Sequence, residues 1–455
     1  MSVDFSKNAT ERPEPCKAEI KVRYGDALFP VSISHSKPSN FLLFRAITFL
    51  NHTMPDFTDN GASNFIKYGN DYYATSETNY ISKIDPVTLE TLEKVDYLKY
   101  LPVNLASCHP HYDKEGNAYN FGTSIATKGK TKYVLFKVPA VSDKDKGKKG
   151  PALKNVEVIC SVPCRSLLMP SYYHSFGMTD NYIIFVEMPF KLDILKMATA
   201  YMRGVSWASC LKFCPEENTL IHLVDRKTGK EVETKYYTGA MVLYHHVNAF
   251  EDDGHVVFDV IAYTDNSLYD MFYLSNLKEK SQFDEKRFSK PNYKRFALPI
   301  HADKSVPGGG NMVKLKYTTA SAVKEKEGKF MCQAEVLCEG FELPRINYDI
   351  NGKRHQFVYG NHVGDSAEVV AKFDTETKKM VYWGEDKCLP SEPVFIPRPN
   401  GESEDDGVVL TSVINSNPGQ SSFILILDGK TFKEVARAYV NTELNKDMHG
   451  FFIPH

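Results

Sequence analysis

Residues 251–263 read EDDGHVVFDVIAY, an acidic turn that contains Asp253 and Gly254 and is followed by a run of β-branched and aromatic residues. Asp-Gly pairs favour the positive φ angles of hairpin turns, and Val, Ile, Phe and Tyr are enriched in strands. The same arrangement returns at residues 404–409, which read EDDGVV. A turn-and-strand unit is therefore used more than once in this chain.

Most of the chain continues in this way, with short apolar runs closed by polar turns. The pattern predicts strands at residues 133–138, 182–187 and 256–263, and a hairpin formed by residues 423–427 and 432–440. Regular short strands over 455 residues favour a β architecture that repeats radially, because a sandwich seldom continues for so long. We therefore predict an all-β propeller with a few helices on one face.

The clearest helical pattern lies between Pro189 and Pro215. Apolar and basic residues interleave there at helical spacing: Leu192, Leu195, Met197, Tyr201 and Met202 with Lys191, Lys196 and Arg203. This pattern is typical of an amphipathic helix packed on the rim of a sheet. Peripheral contact with a membrane through residues 191–213 is the alternative.

The charge balance excludes one class of partner and the cysteines indicate a compartment. Lys and Arg number 55 against 57 Asp and Glu, so the chain lacks the excess positive charge of nucleic-acid-binding proteins. The nine cysteines are scattered, and the N-terminus lacks the apolar core of a secretory signal. The run at residues 41–50 is too short to span a membrane. We expect a cytoplasmic, cytosolic protein with structural thiols.

Four histidines stand at tight turns or beside strand-like runs and next to aromatic residues: His109, His174, His246 and His449. His174 follows His109 by 65 residues, and His246 follows His174 by 72. His449 follows His246 by 203 residues, which is about three times 68. If one blade takes about 68 residues, these histidines occupy equivalent positions in four blades and converge on the propeller axis.

Four imidazoles at an axis can bind a borderline divalent metal such as Fe(II), Zn(II), Cu(II) or Ni(II). Imidazole ligands commonly donate from their second nitrogen to a carboxylate, which orients the ring. Three glutamates in strand contexts of low charge are candidates for that role: Glu77, Glu342 and Glu392. A buried carboxylate is costly unless it is paired, so a histidine partner would explain each of them.

These same residues carry a family resemblance. The histidines lie in CHPHY, SYYHSFGMT, YHHVNAFEDDG and MHGFF, and the glutamates in SETN, FELPRINY and PSEPVF. In these motifs the chain resembles the carotenoid cleavage oxygenases, from about Lys37 to the C-terminus with a short further match at residues 12–20. Within the family, the segments KGKTKYVLFK, LDILKMATAYMRGVSWASCL and VIAYTDNSLY are most similar to the central-cleaving animal enzymes.

The resemblance implies a seven-bladed propeller with an axial Fe(II) centre. It assigns the metal-ligand role to His109, His174, His246 and His449. The glutamate partners follow one by one: Glu77 would accept a hydrogen bond from His174, Glu342 from His246 and Glu392 from His449, while His109 would lack a carboxylate partner. Neutral imidazoles leave the metal its full positive charge, which suits activation of O2 against an electron-rich polyene.

The implied activity is cleavage of beta-carotene by O2 at its central 15,15′ double bond to two molecules of retinal. Three alternatives stay open: eccentric cleavage of a carotenoid, redox-neutral isomerohydrolysis of a retinyl ester, and a truncated, inactive form that acts as a scaffold.

The front of the chain departs from the family. Residues 22–36 do not resemble it, so we predict a divergent N-terminal segment at residues 1–36 and an oxygenase propeller domain at residues 37–455. Seven units of about 68 residues would also need more than 455 residues. We therefore expect the ring to lack much of its first blade.

Overall fold

The structure, a computed structural model, describes residues 61–127, 130–141, 151–203, 205–271, 288–300, 309–325, 328–363, 368–442 and 444–453. The N-terminal segment and its boundary at residues 36 and 37 lie outside these ranges and stay predictions.

Six sheets of four or more strands follow the order of the described chain, except that residues 321–324 and 329–333, which lie between two strands of the fourth sheet, join the third. The first contains β1 (Asn64–Tyr68), β2 (Asp71–Thr75), β3 (Tyr80–Ile84) and β4 (Thr91–Asp96). The second contains β5 (Leu105–Ala106), β7 (Ala118–Thr127), β8 (Lys130–Val138) and β9 (Glu157–Pro163), with β6 (His111–Tyr112) beside β7. The third contains β10 (Gly177–Met178), β11 (Tyr182–Glu187), β14 (Thr219–Asp225), β15 (Lys235–Thr238), β20 (Lys329–Gln333) and β19 (Ser321–Lys324).

The remaining sheets follow in the same manner. The fourth contains β16 (Val242–Asp252), β17 (His255–Tyr263), β18 (Asn292–Pro299) and β21 (Glu335–Glu339). The fifth contains β22 (Phe341–Arg345), β23 (Phe357–Val363), β24 (Glu368–Asp374) and β25 (Met380–Trp383). The sixth contains β26 (Cys388–Pro390), β28 (Gly407–Asn415), β29 (Phe423–Asp428) and β30 (Glu434–Tyr439), with β27 (Val394–Pro397) beside β28. A separate pair consists of β12 (Phe190–Leu192) and β13 (Leu211–Phe213).

These sheets are the blades of a propeller. The edge strands of successive sheets contact one another, β10 with β16 and β16 with β22. The predicted all-β propeller is confirmed, with six blades in the described residues. The resemblance implied a ring of seven that lacks much of its first blade, and residues 1–60, where the shortfall was expected, lie outside the described part.

The turn-and-strand units behave as their sequences predict, but the two copies close different turns. Asp253 and Gly254 adopt φ angles of 41° and 73°, and the whole of β17 after them is buried. In the second copy β28 begins at Gly407, and the Glu404 carboxylate accepts hydrogen bonds from the backbone N–H groups of Gln356 and Phe357. The first copy of the repeated sequence therefore forms a hairpin turn within the fourth blade. The second copy connects the fifth blade to the sixth through the hydrogen bonds of Glu404.

Two helices lie in the described residues outside the short 3₁₀ turns: α1 (Ile194–Arg203) and α2 (Ser267–Met271). The predicted amphipathic helix is α1, which buries Ile194, Met197 and Ala200 and exposes 61% of Leu195. It is shorter than the pattern indicated, because Lys191 and Leu192 pair with β13 as part of strand β12. No helix within the described ranges has the length and apolar character needed to cross a membrane.

An ionic network around the buried Glu187 links the second blade to the third. His222 in β14 lies 3.1 Å from Glu187 Oε2 and 2.8 Å from Glu231 Oε1. Arg165 faces Glu187 and Lys235 faces Glu231. Burial alone would lower the pKa of His222, but the hydrogen bonds and charges of the two carboxylates outweigh it and raise the pKa above 6.5.

We expect the pairing of His222 to make stability depend on pH. A raised folded-state pKa means that the stabilisation is complete below about pH 6.5 and is lost as the pH rises through the folded-state value. The variant His222→Gln should lose about 1–3 kcal/mol near pH 6 and less near pH 9. Urea titrations at the two pH values measure this, and a deficit that grows with pH would contradict it.

Candidate metal centre

Four histidine side chains from four blades meet in one cluster: His109, His174, His245 and His449. Their candidate ligand nitrogens all lie within 4.8 Å of one another. His109 lies between β5 and β6, His174 precedes β10, His245 is in β16, and His449 follows β30. The ring centroid of His109 is 4.5 Å from those of both His174 and His449, and 5.3 Å from that of His245.

The structure corrects one member of the predicted set. His245 belongs to the cluster, whereas the ring of His246 stacks on Phe258 and its Nδ1 lies 3.0 Å from Ser175 Oγ. Neighbouring residues of a strand point to opposite faces, so only one of the two histidines faces the cluster. The blade spacing could not select it, because 71 and 72 residues fit a repeat of about 68 equally well. The pairing of β16 with β17 also shifts register at His246.

Three cluster imidazoles are oriented by carboxylates. His174 Nδ1 lies 2.5 Å from Glu77 Oε1, and His449 Nδ1 lies 2.8 Å from Glu392 Oε1, as the resemblance implied. Glu342 was assigned to His246, but its Oε2 lies 2.7 Å from Nδ1 of His245. Because each Nδ1–H donates to a carboxylate, each Nε2 is left with its lone pair facing the cluster.

Each of the three carboxylates accepts a hydrogen bond from one further side chain, and the sequence analysis did not predict these donors. The Tyr172 hydroxyl donates to Glu77 Oε2 at 2.8 Å, and the Tyr263 hydroxyl donates to Glu342 Oε1 at 2.7 Å. Arg345 donates to Glu392 Oε2 at 2.8 Å. Tyr172 lies in the motif SYYHSFGMT and Arg345 in the motif FELPRINY, but the sequence does not indicate which glutamate either residue contacts.

Burial lowers the pKa of two of the cluster histidines. It lowers the pKa of His109 well below its usual range, and the neighbouring imidazoles and Arg345 add to the effect. Burial likewise lowers the pKa of His449 to about 4, against the opposing effect of Glu392. For Glu392, burial would raise the pKa, but Arg345 and His449 outweigh it and lower the pKa to about 2. Around neutral pH the imidazoles of His109 and His449 are therefore neutral, while Glu392 is ionised.

This donor set fits a divalent metal ion. The Nε2 atom of His245 is buried and has no hydrogen-bond partner in the described residues, which is costly unless a ligand satisfies it. Neutral imidazoles whose Nδ1 atoms are fixed by carboxylates are the usual ligands of borderline metals such as iron or zinc. His109, His174, His245 and His449 are therefore the residues that could hold the ion.

The family whose description is retinal pigment epithelial membrane protein matches residues 9–454. This chain belongs to that family, the carotenoid oxygenases. It is 58% identical over 425 residues to the beta,beta-carotene 15,15′-dioxygenase of Gallus gallus, covering 93% of this chain and 80% of the relative. It is 40% identical over 412 residues to the mitochondrial carotenoid-cleaving dioxygenase of Homo sapiens, covering 87% of this chain and 70% of the relative.

A solved carotenoid oxygenase has the same fold. The cobalt-substituted apocarotenoid oxygenase of Synechocystis superposes with a TM-score of 0.66 at 19% sequence identity, over 88% of this chain and 76% of that chain. At this level of identity the comparison bears on the fold alone. The superposition supports the propeller arrangement of this chain.

Serine hydroxyls connect the ligand-bearing segments of this carotenoid oxygenase. Ser107 Oγ donates to the backbone carbonyl of His174 at 2.6 Å and accepts from the backbone N–H of His109 at 3.0 Å. Ser175 Oγ donates to the carbonyl of Tyr244 at 2.6 Å and accepts from the N–H of His246 at 2.8 Å. Each serine thus joins the backbone of one blade to the next on either side of a cluster histidine, which limits how far the imidazoles can move apart.

The choice between the adjacent histidines can be tested with a matched pair of variants. We expect His245→Gln to abolish or greatly weaken the binding of Co(II), because it removes a nitrogen donor from the cluster. His246→Gln should leave the binding within a few-fold of the unmodified protein, since its ring faces Phe258. Titration followed by the visible absorption of Co(II) measures both. If His246→Gln loses the metal while His245→Gln retains it, the assignment of His245 to the cluster is wrong.

Proposed function

We propose that this chain is an Fe(II)-dependent dioxygenase that cleaves beta-carotene at the central 15,15′ double bond to two molecules of retinal. The observation that carries the proposal is the cluster of four imidazoles with three carboxylate partners in a chain of this family. The higher identity to a 15,15′-dioxygenase than to a carotenoid-cleaving dioxygenase, 58% against 40%, favours central over eccentric cleavage.

In this proposal His109, His174, His245 and His449 hold the iron. Bound iron would supply the one-electron chemistry that allows O2 to react with an electron-rich double bond. The protein contributes neutral donors, so the ion keeps its full positive charge, and the burial that lowers the pKa of His109 and His449 keeps protons from competing for their nitrogens.

The side chains beside the cluster suit an apolar polyene. Tyr172, Phe190, Tyr244 and Tyr269 pack against one another, with ring centroids 5.2 to 6.4 Å apart. The ring of Tyr244 is 6.0 Å from that of His174. Aromatic faces of this kind exclude water, and their negative electrostatic faces stabilise positive charge that develops on a polyene. In this proposal these four aromatic side chains orient the substrate beside the histidine cluster.

The experiment is a product analysis. Purified protein loaded with Fe(II) and supplied with O2 and beta-carotene should release retinal. Longer apocarotenals from a folded, iron-loaded sample would reject central cleavage. Turnover of a retinyl ester without O2 would instead support an isomerohydrolase. A sample that binds iron stoichiometrically, melts cooperatively and turns over none of these substrates would support the scaffold.

We also propose that the enzyme works in the cytosol and touches membranes through residues 191–213, where its apolar substrate dissolves. Beside α1 the surface exposes Leu167, Leu168, Leu195 and Val205, at 45%, 37%, 61% and 38% of their surfaces. The backbone N–H of Ile194 donates to the carbonyl of Leu168, which joins the two exposed segments. Lys196 and Arg203 are exposed on the same helix, and such basic side chains can lie among the lipid headgroups.

This contact predicts a loss of vesicle binding in one variant. We expect Leu195→Glu to bind phosphatidylcholine vesicles at least about tenfold more weakly, because burial of one leucine side chain contributes about 1.5–3 kcal/mol. Co-sedimentation measures it. Val435→Glu is the matched control, since Val435 is 62% exposed on β30 of the sixth blade. Equal binding by Leu195→Glu and the unmodified protein would contradict the proposed contact.

A further inference from the structure

Strand β22 contributes two residues to the metal centre, although simple alternation would separate them. Glu342 and Arg345 are three positions apart, so in a regular strand they would point to opposite faces. The pairing of β22 with β23 shifts register between these two residues, and Leu343 adopts a φ of 51°. Such a conformation is strained for a leucine and is expected only where surrounding contacts enforce it. The irregularity lets one strand reach the carboxylate networks of both His245 and His449.

Arg345 closes a ring of hydrogen bonds around the fourth histidine. Its guanidinium donates to Glu392 Oε2 at 2.8 Å and to the backbone carbonyl of Gly450 at 2.5 Å. Glu392 accepts in addition from His449 Nδ1 at 2.8 Å and from the N–H of Gly450 at 2.9 Å. The Glu392 side chain is only 3% exposed, so this ion pair is largely shielded from solvent on the carboxylate side.

The three carboxylates differ in the charge of the group that holds them. Glu77 and Glu342 accept from the neutral hydroxyls of Tyr172 and Tyr263. In the portion of the chain covered by the structure, Arg345 is the one Lys or Arg that pairs with any of these three carboxylates. Arginine stays protonated in proteins, so this charge is permanent. The centre is therefore electrostatically asymmetric, with a fixed positive charge on the His449 side.

We propose that Arg345 sets the reduction potential of the iron centre by offsetting the negative charge of Glu392. The inference rests on the iron site of the proposed function. A positive charge near a metal destabilises its more highly charged state, and the effect is large where water is excluded. Arg345 would therefore raise the potential and keep the iron ferrous. It is a positioning and charge-balancing residue that acts through Glu392 and does not touch the ion.

The test compares variants that separate charge from hydrogen bonding. Arg345→Gln keeps an N–H donor near Glu392 but removes the charge, whereas Arg345→Lys keeps the charge with a different donor geometry. We expect the Fe(III)/Fe(II) midpoint potential of the iron-loaded protein to fall in Arg345→Gln and to stay near the unmodified value in Arg345→Lys. Glu392→Gln removes the opposite charge and should shift the potential upward.

The opposite signs are what distinguish this role from a merely structural one. Loosening of the same ion pair from either side would move both potentials in one direction, and that result would overturn the proposal. Arg437→Met is the control, because Arg437 also forms paired hydrogen bonds to a glutamate but lies in β30 at the outer edge of its sheet. It should not change the potential.

The two proposals fail in distinguishable ways. If the unmodified protein binds no iron, the proposed function and this inference both fall. If it binds iron and produces retinal, but Arg345→Gln has an unchanged potential with a cooperative melt, only the role of Arg345 is overturned. Should Arg345→Gln not fold, the double variant Arg345→Gln/Glu392→Gln, which leaves no unpaired charge, replaces it. Its potential should lie below that of Glu392→Gln, and equal potentials of these two variants would overturn the role of Arg345.

Discussion

The metal centre depends on hydrogen bonds between imidazoles and carboxylates that belong to separate segments of the chain. Glu77 follows β2 in the first blade and orients His174 beside the third. Glu342 in the fifth blade orients His245 in the fourth. A buried carboxylate is stable only when it is paired, so these bonds form only if the blades are correctly arranged around the axis. Assembly of the site and closure of the blades around it are therefore coupled.

The same requirement explains the outer partners. Each carboxylate has two oxygens, and an imidazole satisfies only one of them, so a buried glutamate needs a second donor. Tyr172, Tyr263 and Arg345 supply it. The network is thereby extended to the aromatic side chains that border the cluster on one side and to an arginine on the other. The electrostatics of the histidine cluster and the packing of the adjacent aromatic side chains are therefore set by one connected group of residues.

Much of the fold could be predicted from the sequence because its signals are local. The strand at residues 182–187 is β11, and the hairpin of residues 423–427 and 432–440 is formed by β29 and β30. Alternate residues of β29 are buried, as a half-buried strand requires. The site could be predicted only in part. His174 and His449 are the single histidines of their motifs, and Pro110 separates His109 from His111. His245 and His246, in contrast, are adjacent, and only the register of β16 distinguishes them.

By itself, the sequence determined the all-β architecture, the family, and the residue types at the centre, because turn chemistry, strand propensity and long motifs are written in consecutive residues. Only the tertiary structure decided which neighbouring histidine faces the axis and which donor holds each glutamate. Those choices depend on the register shifts in β16 and on the strained Leu343 in β22, where the backbone departs from regular alternation. Such departures arise from contacts between blades that are distant in sequence, so no local pattern encodes them.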